Sequence, residues 1–302
     1  MKYTRRQFLE TAVAGACTGA VLLNSCSSGP RFHDPFEKVE LGKTGIKTTR
    51  LSMGTGIRAS NRQSALTRLG NEQAEALVRE IYDRGVRHFD LADSYGSHEV
   101  VSNALKIYPR SDYQLFTKLW FLRGRNIPEG VRPGEEAEAE VMRFLEELQT
   151  DYIDGLQLHY ITTGDWNTQL SDYMNVLANL KQRGIIRSHG VSCHSQDAIE
   201  TAISEAWVDT IHVRINPYGV NMDIQDVDKV ANTVKLLNNA GKSVTAMKII
   251  GQGDLADSEE QKDNSFKFVL DLNAVDVLTI GMDKISDLED SAARIRKVEK
   301  IT

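Results

Sequence analysis

The chain has 302 residues, a length that suits one large domain with a sizeable hydrophobic core. Charged residues make up 26% of the sequence and hydrophobic residues 41%, the mixture found in ordinary soluble globular proteins. The formal net charge is -6, and the sequence has no long basic run and no alternation of basic and aromatic residues. These features argue against a nucleic-acid partner.

The first 26 residues differ in character from the rest of the chain. A basic start with Lys2, Arg5 and Arg6 precedes an apolar stretch from Phe8 to Leu23. That stretch is too short and too rich in Ala and Gly for a membrane-spanning helix, and it ends in small residues. This order of features is typical of an export signal.

Two short motifs indicate which kind of export signal this is. The sequence Thr4–Leu9 resembles the twin-arginine signal, which a receptor reads as an address. Leu23–Cys26 resembles a lipobox, where a bacterial signal peptidase cleaves before a lipid-modified cysteine. We therefore predict a signal peptide over residues 1–26, a lipid on Cys26 and a tether over residues 27–35. A plain cleaved signal, or an interfacial helix of a cytoplasmic protein, is the alternative.

This interpretation defines the expected location and partners. The protein is expected in the periplasm or on the cell surface of a bacterium, exported by the twin-arginine machinery and held to the membrane by its lipid. Cys17 would leave with the leader and Cys26 would carry the lipid, so Cys193 alone would remain in the mature domain. One thiol forms no internal disulfide, and the sequence has no metal-binding cysteine spacing, so we expect no metal.

Beyond the tether, strand and helix patterns alternate. Val39–Lys47 reads as two short strands around a Gly turn, a predicted hairpin, and Leu51–Gly54 is the first of eight further strands. The other seven predicted strands are His88–Ala92, Tyr113–Leu119, Tyr152–His159, Ile186–His194, Thr210–Asn216, Ser243–Ile250 and Ala274–Met282. The clearest helical patterns between them are Glu72–Asp83, Glu135–Gln149, Leu170–Arg183, Asp226–Asn239 and Asp287–Val298.

The alternation predicts an α/β fold with a parallel sheet, because right-handed βαβ units connect parallel strands. Eight units fit a closed (β/α)₈ TIM barrel better than an open doubly wound sheet. The first strand is not followed by the G-x-G-x-x-G sequence that a dinucleotide-binding Rossmann fold would have. We therefore predict a TIM barrel with an N-terminal β-hairpin.

Polar side chains follow four successive strands of this barrel. The second strand ends in Phe89–Gly96, the third in Phe116–Trp120, the fourth in Leu156–Tyr160 and the fifth in Gly190–His194. Chemistry in such barrels is carried out at the carboxyl ends of the strands, so these segments contain the candidate functional residues.

These motifs, together with the hairpin sequence Leu41–Gly45, resemble the aldo-keto reductase family over essentially the whole chain from about Phe36 onward. The resemblance implies a barrel domain over residues 36–302, a nicotinamide cofactor, NAD(P)(H), and a small-molecule carbonyl or alcohol substrate. It also implies a catalytic tetrad of Asp90, Tyr95, Lys118 and His159.

The chemistry of this tetrad is consistent with carbonyl reduction. A tyrosine hydroxyl, with an ordinary pKa near 10, is too weak an acid unless a cation lies close to it. Lys118 would lower the pKa of Tyr95, and Asp90 would hold and balance the ammonium. His159 would orient the carbonyl oxygen. Each residue alone would more often cap a turn, pack in the core or lie at the rim, but together at successive strand ends they indicate a site.

On the cofactor side the sequence departs from the family. Ser192 and Cys193 lie where the family has a Ser-Asn pair that binds the nicotinamide amide. Arg214 is aligned with a glutamine of the family, and Met247 with a tyrosine that stacks on the nicotinamide. A thiol is a weak hydrogen-bonding partner, and methionine packs against a ring less rigidly than tyrosine does.

Two further segments are predicted to contact the nucleotide. Lys248 and the turn with Gly251 and Gly253 follow the seventh strand, where charge and closely approaching backbone amides suit a pyrophosphate. After the eighth strand the predicted contacts are Gly281, Lys284, Asp287 and Ser291. A carboxylate at Asp287 would repel a 2′-phosphate, whereas Lys284 would attract it, and the balance favours NAD.

The sequence thus predicts an exported oxidoreductase that moves hydride between a nicotinamide and a carbonyl or alcohol. Because the twin-arginine route carries folded proteins, the cofactor is expected to be bound before export. The alternative is a lipoprotein that retains the barrel but works as a non-catalytic accessory protein, since fold alone does not define function. Substrate specificity is expected to lie in loops such as 120–132 and 162–168.

Overall fold

The computed structural model describes residues 30–120 and 133–301. The predicted signal peptide, Cys26 and the start of the tether lie outside the described residues, as do residues 121–132 of one predicted specificity loop. The chain from Phe32 onward forms one compact unit. Within the described ranges, no helix has the length and apolar character needed to cross a membrane.

Eight parallel strands close into a barrel, which confirms the predicted fold. A two-stranded antiparallel hairpin, β1 (Lys38–Glu40) and β2 (Lys47–Thr49), precedes them. The barrel closes where the last strand pairs with the first. The barrel strands are β3 (Leu51–Gly54), β4 (His88–Asp90), β5 (Gln114–Leu119), β6 (Gly155–Ile161), β7 (His189–Cys193), β8 (Thr210–Arg214), β9 (Ser243–Met247) and β10 (Val277–Gly281).

Helices connect successive strands and cover the outside of the barrel. The described α-helices are α1 (Ala65–Arg68), α2 (Asn71–Asp83), α3 (His98–Leu105), α4 (Pro133–Leu148), α5 (Trp166–Gln169), α6 (Ser171–Gln182), α7 (Gln196–Ser204), α8 (Val227–Asn239), α9 (Glu259–Asp271) and α10 (Ile285–Ile295). Five of them lie within two residues of a predicted helical pattern at their first residue and within three at their last.

The two faces of each barrel strand differ in polarity because neighbouring side chains point to opposite faces. In β6, Leu156 and Leu158 belong to the main apolar core that packs against the helices, whereas Gln157 between them is buried on the inner face. The amide of Gln157 donates to the hydroxyl of Thr210 on β8, 3.1 Å away. The inside of the barrel is therefore polar, and its outside supplies the hydrophobic core.

The amino-terminal end of the barrel is closed by a separate apolar cluster. Leu41 and Ile46 from the turn between β1 and β2 pack against Phe116 and Val277, near the starts of their strands. The Leu41 amide donates to the Ile46 carbonyl at 2.9 Å, which fixes the turn. The hairpin thus keeps water out of one end of the barrel and leaves the other end as the entrance to its polar interior.

Several predicted strands extend beyond the observed ones at the carboxyl end. The strand predicted over Ser243–Ile250 ends at Met247, because Lys248 takes a left-handed backbone conformation with φ 59. The strand predicted over Tyr152–His159 continues instead to Ile161, with a register irregularity between Leu158 and Ile161. These departures lie at the barrel mouth, where strands give way to loops that carry functional groups.

Candidate active site

The structure brings the four predicted catalytic residues together at the carboxyl ends of β4, β5 and β6. Asp90 ends β4, Lys118 lies in β5 and His159 lies in β6, and all three side chains are buried. Tyr95 closes a short 3₁₀ turn that follows β4 and is partly buried. The site is thus built on rigid strands and one tight turn.

A buried ion pair lies at the base of the site. The Lys118 ammonium donates to Asp90 Oδ1 at 2.5 Å and to the Leu91 carbonyl at 2.9 Å. Burial disfavours both charges, but their attraction and hydrogen bonding outweigh it. As a result, the pKa of Asp90 lies below its ordinary value and the pKa of Lys118 lies above its own. Both groups are therefore ionised at neutral pH.

Tyr95 lies against this ion pair. The Lys118 ammonium is 5.2 Å from the centroid of the Tyr95 ring. Burial raises the pKa of the Tyr95 hydroxyl, and although Lys118 acts in the opposite direction, the net shift is upward. The sequence predicted that Lys118 would lower the pKa of Tyr95. Lys118 does act in that direction, but burial outweighs it, so the prediction of a lowered pKa is wrong. The hydroxyl keeps its proton at neutral pH and can donate it.

Two glycines allow close packing on and beside Tyr95. A Cβ at Gly56 would lie 2.5 Å from Tyr95 Cζ, so the ring packs directly on the backbone there. Gly96, which follows Tyr95, has φ +65, and a Cβ there would lie 1.8 Å from the Arg62 carbonyl oxygen. A larger residue at Gly56 or at Gly96 would therefore disturb the position of Tyr95.

The turn that carries Tyr95 is also held by charges that sequence analysis did not single out. Asp93 Oδ1 lies 2.9 Å from Arg62 Nη1 and 2.9 Å from Arg143 Nη2. Glu147 joins the same two arginines, at 2.7 Å from Arg62 and 2.5 Å from Arg143. This network ties the turn to α4, and only three-dimensional proximity reveals it.

His159 faces Tyr95 across the site. Its ring makes an edge contact with Tyr95 at a centroid distance of 5.8 Å and with Trp120 at 5.1 Å. Burial and the charge of Lys118 place the pKa of His159 well below its ordinary value, so the imidazole is neutral. Its Nδ1 is buried and has no hydrogen-bond partner within the described structure. A neutral ring can orient a carbonyl oxygen without adding charge.

Arg214 is held by two partners, neither of which the sequence analysis indicated. One Nη donates to His194 Nδ1, and the other lies 3.2 Å from Asp223 Oδ1. Burial and the charge of Arg214 lower the pKa of His194 to about 3. Burial raises the pKa of Asp223, although Arg214 opposes this. The pair places a guanidinium in the barrel mouth.

His212 is another residue that sequence analysis missed. It lies on the inner face of β8, fully buried, with Nε2 3.2 Å from Asp90 Oδ1. Burial lowers its pKa despite the nearby carboxylate, so the ring is neutral. The strand pattern contained the signal, because His212 and Arg214 alternate with the apolar residues Ile211 and Val213.

The predicted pair Ser192 and Cys193 is divided between two faces of β7. The Ser192 hydroxyl is buried and has no hydrogen-bond partner in the described part of the chain. Cys193 is fully buried in the apolar core outside the barrel, and burial raises the pKa of its thiol well above the ordinary value. Neighbouring strand residues point to opposite sides, so Cys193 does not share the barrel mouth with Ser192.

Both glycines of the turn after β9 have positive φ. Gly251 has φ 58 and Gly253 has φ 111, and they enclose Gln252 in a 3₁₀ turn. A Cβ on Gly253 would meet nothing within 4 Å, so the backbone there is open to a ligand. Met247 and Lys248, just before the turn, are partly buried.

The segment after β10 forms a helix cap. Asp287 Oδ2 accepts hydrogen bonds from the amides of Asp283 and Lys284, at 3.1 and 3.2 Å. The Ser291 hydroxyl donates to the Asp287 carbonyl at 2.7 Å, and Ser291 is buried. A Cβ on Gly281 would lie 2.4 Å from Ile57 Cγ1, so Gly281 is covered by a side chain. Asp287 and Ser291 are thus engaged with the helix, and Lys284 is the exposed group of this segment.

The residues present fit a nicotinamide nucleotide along one side of the mouth. The unpartnered Ser192 hydroxyl and the Lys248 ammonium offer an amide partner and a cation, and the backbone at Gly253 is open. The amides of Gly251 and Gly253 already donate to the carbonyls of Lys248 and Ile250, at 2.9 and 3.0 Å. Among the described residues, no group of three or more His, Cys, Asp or Glu side chains could hold a metal ion.

A parallel eight-stranded barrel thus carries a buried Lys–Asp pair, a protonated Tyr and a neutral His at its mouth, a set of groups that can exchange a proton with an oxygen atom. The chain belongs to the aldo/keto reductase family, whose model matches residues 50–301.

Two relatives show the extent of the sequence similarity. L-galactose dehydrogenase of Arabidopsis thaliana is 31% identical over 188 residues, which cover 60% of this chain and 56% of the plant protein. D-threo-aldose 1-dehydrogenase of a Pseudomonas species is 22% identical over 236 residues, 70% of either chain. The chain therefore spans little more than half the length of the plant relative.

Solved structures share the fold at low sequence identity. An aldo-keto reductase of Bacillus halodurans in its holo form gives a TM-score of 0.67 with 20% identity, covering 88% of this chain and 93% of that one. An aldo/keto reductase of Klebsiella pneumoniae, solved with NADP and acetate, gives 0.60 with 20% identity, covering 86% and 90%.

The buried neutral histidines predict how stability depends on pH. His194 and His88 have folded-state pKa values of about 3, and His159 also lies well below 6.5. Below pH 6.5 the unfolded chain takes up protons that the folded chain does not, so the free energy of unfolding should fall as pH falls from 6.5 toward 3. Each histidine contributes about 1.4 kcal/mol per pH unit.

Urea unfolding at pH 4.5 to 7 measures this slope. His194→Asn, which keeps an acceptor for Arg214, should reduce the slope by about 1.4 kcal/mol per pH unit. An unchanged slope in the variant would mean that His194 is protonated in the folded protein.

Proposed function

We propose that the protein is a nicotinamide-dependent oxidoreductase that interconverts a small carbonyl compound and its alcohol. One observation supports this above all: the buried Asp90–Lys118 pair lies beneath a protonated Tyr95 hydroxyl, with neutral His159 across from it. This is an arrangement for giving a proton to, or taking one from, an oxygen atom that lies between Tyr95 and His159.

Each residue has a distinct part in the proposed reaction. The Tyr95 oxygen gives its proton to the developing alkoxide during reduction and takes it back during oxidation. Lys118 stabilises the tyrosinate that remains, and Asp90 holds Lys118 in place. Neutral His159 donates a hydrogen bond to the substrate oxygen, which both orients it and disperses its charge.

The residues proposed to bind the cofactor lie in or follow β7 and β9. Ser192 would hold the nicotinamide amide, and the Lys248 ammonium, next to the open backbone at Gly253, would hold the pyrophosphate. When bound, the nicotinamide supplies or accepts the hydride. The names of relatives and structural neighbours, which include dehydrogenases, reductases and an NADP complex, support this assignment.

We take NAD(H) rather than NADP(H) as the cofactor. Carboxylates of Asp283 and Asp287 lie at the turn after β10, and Lys284 is the nearby cation of that segment. A 2′-phosphate brought to this turn would meet more negative than positive charge.

The substrate is proposed to be a small carbonyl or alcohol compound with hydroxyl groups, such as a sugar. A cavity beside His159 is lined by aromatic and hydroxyl side chains, among them Trp120, Tyr160, Thr162 and Trp166. Rings and hydroxyls of this kind pack against and hydrogen-bond polyhydroxylated molecules. Two relatives named for sugar oxidation, L-galactose dehydrogenase and D-threo-aldose 1-dehydrogenase, support the same class.

The protein is further proposed to act outside the cytoplasm of a bacterium. The twin-arginine motif at Arg5 and Arg6 and the lipobox ending at Cys26 support export with the cofactor already bound and anchoring by a lipid. A domain that folds and binds its cofactor before export needs no supply of nucleotide at its destination, provided that substrates regenerate it.

Replacing the proton donor tests the catalytic proposal. Tyr95→Phe keeps the ring and its packing on Gly56 but removes the hydroxyl. Turnover should fall by about 10²- to 10⁴-fold, because general acid-base assistance is worth that much. The Kd for NADH and the melting temperature should change little, since the ring stays in place. Steady-state kinetics on a panel of aldoses, aldehydes and ketones provides the measurement.

The matched control is Tyr108→Phe, which removes a hydroxyl from an exposed surface contact with Asp83 and should leave turnover unchanged. Near-normal turnover of Tyr95→Phe on any accepted substrate would refute its role. A native protein that neither binds nucleotide nor turns over any substrate would favour the accessory-protein alternative.

A second substitution tests anchoring. Cys26→Ser removes the thiol that would carry the lipid, and the protein should lose its partition into the detergent phase and remain uncleaved or be released. Mass spectrometry of the N-terminus and Triton X-114 partition would show this. An unchanged partition of the Cys26→Ser protein would rule out lipidation at this residue.

A further inference from the structure

His212 is a buried titratable group that has no part in the reaction described above. It lies on the inner face of β8, where its register partners are Ser192 on β7 and Thr245 on β9, and all three side chains are buried. Registered residues of neighbouring strands point to the same face of a sheet. Uncharged hydroxyl side chains therefore flank the imidazole on both sides.

The His212 ring reaches across the barrel to the catalytic ion pair. Strands β8 and β4 are four strands apart in the closed barrel, on opposite sides of its interior. His212 Nε2 lies 3.2 Å from Asp90 Oδ1, the same oxygen that the Lys118 ammonium contacts at 2.5 Å. The approach is bent, and neither ring nitrogen has an aligned hydrogen-bond partner among the described residues. Asp90 thus offers an acceptor to a proton on Nε2.

The charges around His212 decide which ring nitrogen carries its proton. Two charged groups act on it directly, the Asp90 carboxylate and the Lys118 ammonium. The other titratable groups around it are His88 on β4, His159 on β6, His194 after β7 and Arg214 on its own strand. Burial holds the pKa of all four histidines below the ordinary value, so the rings are neutral. A neutral imidazole carries one proton, and the nearby Asp90 anion favours it on Nε2.

We propose that His212 is a positioning residue that donates its Nε2 proton to Asp90 and keeps the Asp90–Lys118 pair ionised. The proposal rests on the proposed function. Because burial disfavours both charges, a buried pair of this kind has a neutral alternative, in which the ammonium proton moves to the carboxylate. A neutral donor beside the carboxylate stabilises the ionised form and adds no charge of its own.

The ionised pair matters because it acts on Tyr95. Lys118 and Arg214 favour the tyrosinate, whereas Asp90 opposes it. A donor on Asp90 disperses part of the carboxylate charge, so His212 should lower the pKa of Tyr95 through Asp90. In alcohol oxidation the tyrosinate takes the hydroxyl proton as the hydride leaves for the nicotinamide. The rate should therefore rise with pH until Tyr95 is fully deprotonated.

The pH profile of kcat/KM for alcohol oxidation tests this role. His212→Leu removes the donor, and the rising limb should move up by about one pH unit, which is about a tenfold loss of rate at a fixed pH below it. His212→Gln, whose amide can donate to Asp90, should restore most of the rate and return the limb toward its native position. If the Leu variant does not fold, His212→Met removes the donor with an unbranched side chain.

His88→Leu is the matched control. His88 is also fully buried, lies two residues before Asp90 on β4, and has no partner for either ring nitrogen within the described ranges. Its substitution should leave the limb in place. A uniform loss of rate in His212→Leu, with the limb unmoved or with no rescue by Gln, would indicate a purely structural role and overturn the inference.

Two further measurements tie the effect to the Asp90 contact. In an Asp90→Asn background, His212→Leu should change kcat/KM by no more than about twofold, because residues that act as a unit are not additive. An equal effect in both backgrounds would contradict the inference.

The second measurement is ¹⁵N NMR of the native protein labelled at histidine, with His212→Gln to assign the signal. It should show the His212 proton on Nε2 at neutral pH. A proton on Nδ1 would overturn the inference and leave the proposed oxidoreductase function in place. A native protein that turns over no substrate would overturn both.

Discussion

The site depends on the buried ion pair between Asp90 and Lys118. A single charge inside the barrel would cost several kcal/mol, and the pair is tolerated because each charge and hydrogen bond satisfies the other. The pairing follows from the barrel itself, since both residues lie on the inner faces of adjacent parallel strands near their carboxyl ends. Once in place, Lys118 acts on its neighbours: it depresses the pKa of His159 and counteracts the upward shift at Tyr95.

The rest of the fold keeps this pair in a polar but closed environment. The hairpin cluster around Leu41 seals the far end of the barrel, and the apolar outer faces of the strands bind the helices. The network of Asp93, Arg62 and Arg143 fixes the turn that carries Tyr95. The hairpin cluster and the outer apolar core lie away from the catalytic residues. The barrel mouth can therefore contain charged groups, which would be costly in an apolar core.

Sequence analysis predicted what depends on local pattern and chain order. The barrel followed from eight alternating units. The grouping of Asp90, Tyr95, Lys118 and His159 was implied by the resemblance to the aldo-keto reductase family, and their places at or just after strand ends are consistent with it. It did not predict which of two adjacent residues faces inward, so Cys193 was assigned to the site although it lies in the apolar core. The direction of the Tyr95 pKa shift was also predicted wrongly. Burial raises this pKa more than Lys118 lowers it, and burial depends on tertiary packing.

The remaining differences concern partners that are distant in sequence or that compete for the same side chain. Asp223 reaches Arg214, and His212 lies beside Asp90, through packing that no local motif records. Asp287 was predicted to contact the nucleotide, but its carboxylate accepts hydrogen bonds from backbone amides at the start of a helix. Short polar residues near helix ends often do so, and sequence alone does not choose between the two uses.

The most direct test of the account is native mass spectrometry. The protein is released from membranes with a mild detergent, purified and titrated with NADH. The account predicts a complex heavier than the bare chain by one dinucleotide, saturating at one per chain. A chain that stays at its bare mass at saturating NADH and NADPH would contradict the assignment of this barrel mouth as a nicotinamide site.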